Sequence, residues 1–460
     1  MKYNINNYKK KIIRIVSQKI KINYKEPYKL EEASRSVCSG FFIKDNYIIT
    51  CSHCIDHSKD IYIEIPDEGK RKYKVDIVGL CPHLDIALLK SIEYKSKEYF
   101  TLGDSDKLLS GQEVVAIGFP LAQNAVKMTR GIISGRQNGK IQTDTPVNPG
   151  NSGGPLIYNN NVIGIVSSGV TKSSNVGYAV PINKYNTIKK ELYDKKQLLI
   201  LRTKMNTIFN YNNTDANLLA LYGAKSGVFI NDTNNKSVGG LQKGDILVSI
   251  NKNKIDSYGY IKSKKLNEKM EVDQLLDYIK QGDKIEIEYV RNKKSHKQSF
   301  IYKYNNFPIR EIYPRFEKFD YEVINGLVLT QLSLNYMKSL YNEDNHDLNK
   351  SLYKYYYYKN RKNHKIIISF IYPNTSISNI DVLEEGQIVT KCNGIEVETI
   401  EDLRKAAIKY TMIKKKKYIL LETDFNENVI IDVKEYIERG NNNRNTFMYP
   451  VTPLYNTITS

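Results

Sequence analysis

Ser152, His53 and Asp85 each stand in a local sequence suited to acyl transfer. Ser152 lies within Asn148-Pro149-Gly150-Asn151-Ser152-Gly153-Gly154-Pro155, His53 ends Ile48-Ile49-Thr50-Cys51-Ser52, and Asp85 opens Ile86-Ala87-Leu88-Leu89. Attack on an amide carbonyl needs a nucleophile, a base for its proton, a group that orients the base, and N–H donors for the developing oxyanion. A serine in a glycine-rich turn supplies the first and the last, because Gly150 and the residues around Ser152 permit a tight turn that gathers backbone N–H groups into one hole. A histidine at a strand end can reach across a cleft, and a lone carboxylate at the start of an apolar strand suits an imidazole orienter. Ser152 is therefore expected as nucleophile, His53 as base and Asp85 as orienter.

The elements that position these groups are short. From Ile12 to Pro181 the chain reads as brief apolar runs between turn residues, including Gly40–Thr50, Val75–Leu80, Glu113–Ile117 and Val162–Ser167. That pattern predicts an all-β barrel or sandwich. Ile188 and Leu192 then recur four apart, predicting a helix over 183–195 that closes the first domain. The order His, Asp, Ser fits a two-barrel trypsin type and not the orders of the subtilisin or α/β-hydrolase types. Further on, strands Gly227–Asn231, Ile246–Ile250 and Lys284–Val290 accompany a helix over 272–281. A second set, Ile366–Ile371, Gly386–Cys392, Lys417–Thr423 and Asn428–Val433, accompanies a helix over 400–407. Leu241-Gln242-Lys243-Gly244-Asp245-Ile246 parallels Leu383-Glu384-Glu385-Gly386-Gln387-Ile388, so the two α+β modules read as internal duplicates. The expected division is 1–197, 198–304, a connector 305–364, 365–440 and a tail 441–460.

With 460 residues the chain exceeds a single core, and 41% hydrophobic against 26% charged residues is ordinary for a folded protein. Its net charge of +19 is spread along the chain. The tract Tyr353–Asn360, with five tyrosines, could stack on bases, but heavy use of Lys, Asn, Ile and Tyr runs throughout, so nucleic acid is not the expected partner. Lys9 to Lys11 interrupt the N-terminus before an apolar stretch develops, and no run of about 18 apolar residues occurs. The chain is thus expected to be intracellular, not secreted and without a membrane span.

As a set, Ser39-Gly40-Phe41-Phe42-Ile43, Thr50 to His53, Asp85 to Leu88, Gly118-Phe119-Pro120, Gln142-Thr143-Asp144, Asn148 to Leu156 and Gly177-Tyr178-Ala179-Val180-Pro181 resemble the HtrA/Deg family of ATP-independent serine proteases. Gly227-Val228-Phe229-Ile230, Gly244-Asp245-Ile246-Leu247 and Asn393-Gly394-Ile395-Glu396-Val397 extend the resemblance to two PDZ-like modules. Gly326-Leu327-Val328-Leu329-Thr330 and the ending Tyr449-Pro450-Val451 resemble the plant-type Deg proteases. The fold so implied is mainly β: a trypsin-like double β-barrel followed by two α+β PDZ-like domains.

The resemblance implies an endopeptidase for unfolded or exposed polypeptide, needing no cofactor or metal and assembling as a trimer or multiple of trimers. The alternative is a scaffold or chaperone-like protein that keeps the protease fold. Gly150, Asn151 and Ser152 would line the oxyanion hole. Pro146, six before the nucleophile, would form the base of the P1 pocket, with Val166, Ser167, Ser168 and Gly169 opposite; with no carboxylate there, small or medium aliphatic P1 residues are implied. Cys51, His53, Cys54 and His57 could also be grouped as zinc ligands, but His53 would then be lost as base. In chymotrypsin-like enzymes a bridge joins the positions that Cys38 and Cys54 occupy; in an intracellular chain they are expected as packed thiols, with a bridge as the alternative. The segment Arg136–Ile141 is shorter than its family counterpart. Leu199-Ile200-Leu201-Arg202 lacks the glycine of a carboxylate-binding loop.

Overall fold

The computed structural model describes residues 4–169, 176–202, 207–211, 216–233, 239–263, 266, 268–304, 306–341, 350–380 and 382–460. The short apolar runs close into two six-stranded barrels. The first contains β1 (Ile12–Ile22), β2 (Leu30–Lys44), β3 (Tyr47–Thr50), β4 (Ser58–Glu64), β5 (Lys72–Cys81) and β6 (Ile86–Ser91). The second contains β7 (Glu113–Gly118), β8 (Lys127–Gln137), β9 (Lys140–Thr143), β10 (Pro155–Tyr158), β11 (Asn161–Gly169) and β12 (Gly177–Pro181). Val114, Ala116, Ile133, Ile141, Leu156, Ile163, Val166 and Ala179 fill the second barrel. Each fully buried aliphatic side chain contributes about 1.5–3 kcal/mol of transfer free energy.

Helix α1 (Ile182–Leu192) follows, with Ile188 and Leu192 buried at the spacing expected from the sequence. It approaches the first barrel so closely at Gly79 that a Cβ there would lie 2.7 Å from the Leu192 carbonyl oxygen.

The chain forms two units by contact density, residues 1–19 with 33–306, and residues 20–32 with 307–460. In the first unit, strand Ile246–Ile250 pairs antiparallel with Lys284–Arg291 and carries the short side strand Asn253–Lys254. In the second unit, Ile388–Cys392 pairs with Lys416–Thr423 and carries Ile395–Glu396. Turn geometry repeats too: Asn251 and Asn393 both have positive φ and donate from N–H to the carbonyls of Glu286 and Leu420. Asparagine tolerates that region, which explains its recurrence at both turns.

Four stretches differ from the sequence expectation. The helix expected over 272–281 spans Val272–Leu276 only, because Arg202 donates to the Leu276 and Ile279 carbonyls at 2.6 and 2.5 Å, engaging acceptors that a longer helix would use. Residues 305–364 are not merely a connector. Tyr321–Ile324 and Leu327–Gln331 pair into the second unit's sheet, and Leu352 and Tyr355 of the tyrosine-rich region enter a cluster with Tyr336 and Leu340. Nor is the C-terminal segment a loose tail, since helices Val433–Phe447 and Pro453–Thr459 bring Tyr436 and Leu454 into the core. Residues 20–32, expected with the barrels, belong to the second unit, where Ser369 Oγ donates to the Lys25 carbonyl at 2.8 Å and Tyr372 OH to Glu26. No helix among the described residues is long and apolar enough to cross a membrane.

Candidate active site

Strand register brings His53 and Asp85 together. Thr50 pairs with Ala87 and Ile49 with Leu88, so the residues just beyond β3 meet those just before β6. His53 lies in a single 3-10 turn, Ser52–Cys54, with its carbonyl accepting from Lys19 Nζ at 2.6 Å. Asp85 adopts the left-handed region (φ 57°, ψ 45°) between a turn at Pro82–Leu84 and β6, a conformation aspartate tolerates better than most residues.

The carboxylate holds His53 twice. Its Oδ1 accepts from the His53 backbone N–H at 3.1 Å, and Nδ1 lies 2.9 Å from both carboxylate oxygens. Ser167 Oγ donates to Asp85 Oδ2 at 2.7 Å, while Lys140 Nζ donates to Ser167 Oγ at 3.0 Å. Burial alone would raise the Asp85 carboxyl pKa, but the His53 hydrogen bond and charge and the Ser167 hydroxyl outweigh it and hold it below the ordinary aspartate value.

Ser152 arrives from the second barrel on a turn locked against the first. Asn151 N–H donates to the Asn148 carbonyl at 3.0 Å across Pro149-Gly150, and Gly150 has φ +99°, the third-position requirement of a type II turn. A Cβ at Gly150 would meet the Phe119 carbonyl oxygen at 2.2 Å. Ser39 ties the turn down, its Oγ donating to the Gly150 carbonyl at 2.7 Å and its N–H to the Ser152 carbonyl at 2.8 Å. Among the described residues the N–H groups of Gly150 and Ser152 have no recorded acceptor, which suits an oxyanion site. Asn151 N–H is committed to the turn, so of the three expected donors two are open.

Ser152 Oγ donates to the Ser167 carbonyl at 2.9 Å, and among the described residues no hydrogen bond joins it to His53. Ser167 thus supports both ends of the constellation, its hydroxyl on Asp85 and its carbonyl on Ser152.

The residues assigned to a P1 pocket disperse. Pro146 is exposed, with its carbonyl accepting from Thr129 Oγ1 at 3.2 Å, and Val166 is buried in the second barrel. Ser168 and Gly169 pair through their backbone with Tyr178 and Gly177, and the side chain of Ser168 lies outside the described residues. Ser167 lines the cleft of about 740 Å³ beside His53 and Asp85, and among the described residues Pro146 and Val166 do not.

Cys38 and Cys54 are bridged, with Cα atoms 6.1 Å apart, where packed thiols were expected. The bridge removes Cys54 as a thiolate ligand, and burial pushes the Cys51 thiol well above its ordinary pKa, so the Cys51, His53, Cys54, His57 grouping offers a metal no thiolate pair. Leu199-Ile200-Leu201-Arg202 is engaged with the barrel and α1: Leu80 N–H donates to the Leu198 carbonyl and Ile200 N–H to the Leu80 carbonyl, and buried Arg202 donates to Thr187 Oγ1 at 2.8 Å.

Sequence reasoning could not anticipate Asp277, 194 residues from one partner and 93 from the other. Its carboxylate accepts from Lys184 Nζ at 2.7 Å and contacts His83 Nε2 at 3.1 Å. Burial would raise its pKa, but the Lys184 charge and His83 hold the carboxyl well below the ordinary range. Asp277→Asn leaves the buried Lys184 ammonium without a counter-charge and is expected to cost about 3–5 kcal/mol at neutral pH. Because the folded pKa is depressed, this stabilisation is complete above the unfolded aspartate value and is lost as pH falls through the folded one. Urea midpoints of both proteins should therefore differ at pH 7, and the gap should begin to close only below about pH 4; equal midpoints at pH 7 would refute the pairing.

A trypsin-like peptidase domain model matches residues 38–165, and a PDZ domain model matches residues 314–443. The chain is 30% identical, over 57% of its length and 55% of the relative's, to a Pseudomonas putida protein named "Probable periplasmic serine endoprotease DegP-like". It is likewise 30% identical, over 57% of each, to a Haemophilus influenzae "Probable periplasmic serine protease do/HhoA-like". It thus spans about half the length of the curated relatives it matches. The HtrA-type protease AlgW with tripeptide shares the fold, with a TM-score of 0.50 and 24% identity over 64% of this chain and 94% of that one. The periplasmic names of the relatives overturn the expectation of an intracellular, non-secreted chain, whose basis was the interrupted N-terminal stretch. The chain thus carries a trypsin-like peptidase domain and a PDZ domain and is similar to serine proteases of the HtrA/DegP type.

Proposed function

We propose that this chain is a serine endopeptidase acting on unfolded or exposed polypeptides, with Ser152 as nucleophile, His53 as general base and then acid, and Asp85 as its orienter. The observation that carries this reading is the His53–Asp85 pair linked through Ser167 to the Ser152 hydroxyl, which stands in a turn with two open backbone N–H groups. A substrate N–H that takes the Ser167 carbonyl displaces the Ser152 hydroxyl, which then turns toward His53 and attacks. The Gly150 and Ser152 N–H groups receive the oxyanion, and His53 returns the proton to the leaving amine.

We read residues 198–304 as a further PDZ-like module, supported by the repeated strand-and-turn arrangement. Recruitment or gating of polypeptide by these modules, and assembly in trimers or their multiples, belong to the same proposal, as does the plant-type likeness. An oxidising compartment suits the Cys38–Cys54 bridge.

The test is incubation with unfolded casein, with and without a chelator, followed by labelling with a fluorophosphonate and mass spectrometry. Chelator-resistant cleavage, aliphatic P1 sites and a covalent adduct on Ser152 are expected. Absence of both cleavage and adduct would turn the reading to a scaffold or chaperone-like protein.

A further inference from the structure

The cleft beside Asp85 and Ser167 does not reach Gly150; a second cleft, of about 770 Å³, does. Pro149, Gly150, Leu121 and Ala122 line one part of it, and Arg35, Ser36 and Val37 of β2 another. On the proposed protease reading, the acyl half of a substrate lies along the Ser167–Gly169 strand. The carbonyl under attack points at the Gly150 and Ser152 N–H groups. The chain beyond the cut, which leaves as the amine, then passes into the cleft at Gly150.

That cleft is basic by construction. Its floor is Arg14, which is only 5% exposed, with Nη1 on Glu64 at 2.5 Å and Nη2 on the Ala122 carbonyl at 2.9 Å. Arg14 Nε is buried and, among the described residues, has no hydrogen-bond partner. Glu64 is the one carboxylate among the described lining residues, and Arg14 neutralises it. Arg35, Lys70 and Lys72 remain exposed around the opening, and among the described residues none of the three forms an ion pair. Lys72 keeps its ammonium 5.9 Å from the Tyr62 ring, which steadies its stem against the barrel. Three uncompensated cations over a buried guanidinium, next to the site that holds the oxyanion, form a receptor for carboxylates on the released half of the substrate.

We propose that this cleft binds the second and third residues after the cut and selects Asp or Glu there. This rests on the protease reading, and the experiment separates the two. Three internally quenched peptides share one acyl half and carry Glu-Glu, Gln-Gln or Lys-Lys at those positions. Wild type is expected to show kcat/KM about tenfold higher for Glu-Glu than for Gln-Gln, with Lys-Lys lowest. The spread should shrink in about 0.5 M salt. The variant carrying Arg35→Glu, Lys70→Glu and Lys72→Glu, with its fold checked by circular dichroism, should reverse the order.

Equal kcat/KM for the three peptides in wild type overturns this inference and leaves the protease reading standing. If none is cut, the protease reading fails, and fluorescence anisotropy of the same peptides decides the cleft. Tighter binding of Glu-Glu, lost in the triple variant, supports it; equal binding overturns it.

Discussion

Ser152→Ala is expected to lower kcat by about 10⁶-fold on any unfolded polypeptide that the wild type cuts. No neighbouring nucleophile can substitute. Ser167 Oγ is held between Asp85 and Lys140, and the Cys51 thiol is buried with its pKa pushed up by desolvation, so it stays protonated. The fold should hardly notice, because among the described residues the hydroxyl makes one hydrogen bond, to the Ser167 carbonyl at 2.9 Å, worth about 0.5–1.5 kcal/mol. The backbone clamp from Ser39 N–H to the Ser152 carbonyl and the turn through Gly150 do not involve the side chain. Casein cleavage should therefore fall to background while the thermal midpoint moves only slightly. Activity within tenfold of wild type would remove Ser152 from the nucleophile's place.

How much of this site can be read from the sequence depends on whether a residue's direction follows from strand pattern. His53 and Asp85 are legible because each stands at the end of an apolar strand, and the β3–β6 pairing then places the two ends together. Ser167 is not. The β11–β12 register shifts between Val166 and Ser168, and that bulge breaks the simple alternation, turning Ser167 toward Asp85 while Val166 stays in the barrel core. The open and closed N–H groups around Ser152 likewise depend on the turn type, which Pro149-Gly150 permits but does not dictate. Residues 321–331 carry two short apolar runs, Val323-Ile324 and Leu327-Val328-Leu329, yet the polar and tyrosine-rich stretch after them hides their membership in the final sheet. Tyr355 is buried while Tyr356, Tyr357 and Tyr358 are exposed, so identical residue types take opposite environments within one short tract. The Asp277 contacts with Lys184 and His83 have no local signature at all.

Asp85→Asn is expected to lower kcat by about 10⁴-fold, or about 5.5 kcal/mol in the barrier. The substitution preserves shape but replaces one acceptor oxygen by a donor. An amide nitrogen at the Oδ1 position would oppose the His53 backbone N–H, 3.1 Å away, so the nitrogen is driven to the Oδ2 position. There it faces His53 Nδ1 at 2.9 Å and Ser167 Oγ at 2.7 Å. Wherever Nδ1 accepts from that amide instead of donating to the oxygen at the Oδ1 position, its proton moves to Nε2, and the base presents a donor where the Ser152 proton has to be received. Ser167 can receive the amide only by turning its own hydrogen away, in competition with the Lys140 ammonium at 3.0 Å. Both adjustments disfavour the productive tautomer, which is why an isosteric change carries so large an effect. In wild type the carboxylate's depressed pKa fixes the pH dependence. Its stabilising hold on His53 is complete above the ordinary aspartate value and lost only as pH falls through the lower folded value, so an acid limb of activity above about pH 5 does not arise from Asp85. Comparing kcat/KM of wild type and Asp85→Asn from pH 5 to 9 on one peptide tests the argument. A loss near 10⁴-fold across the neutral range supports the orienting role, whereas a loss below tenfold at pH 7 would mean that His53 is oriented by something other than this carboxylate.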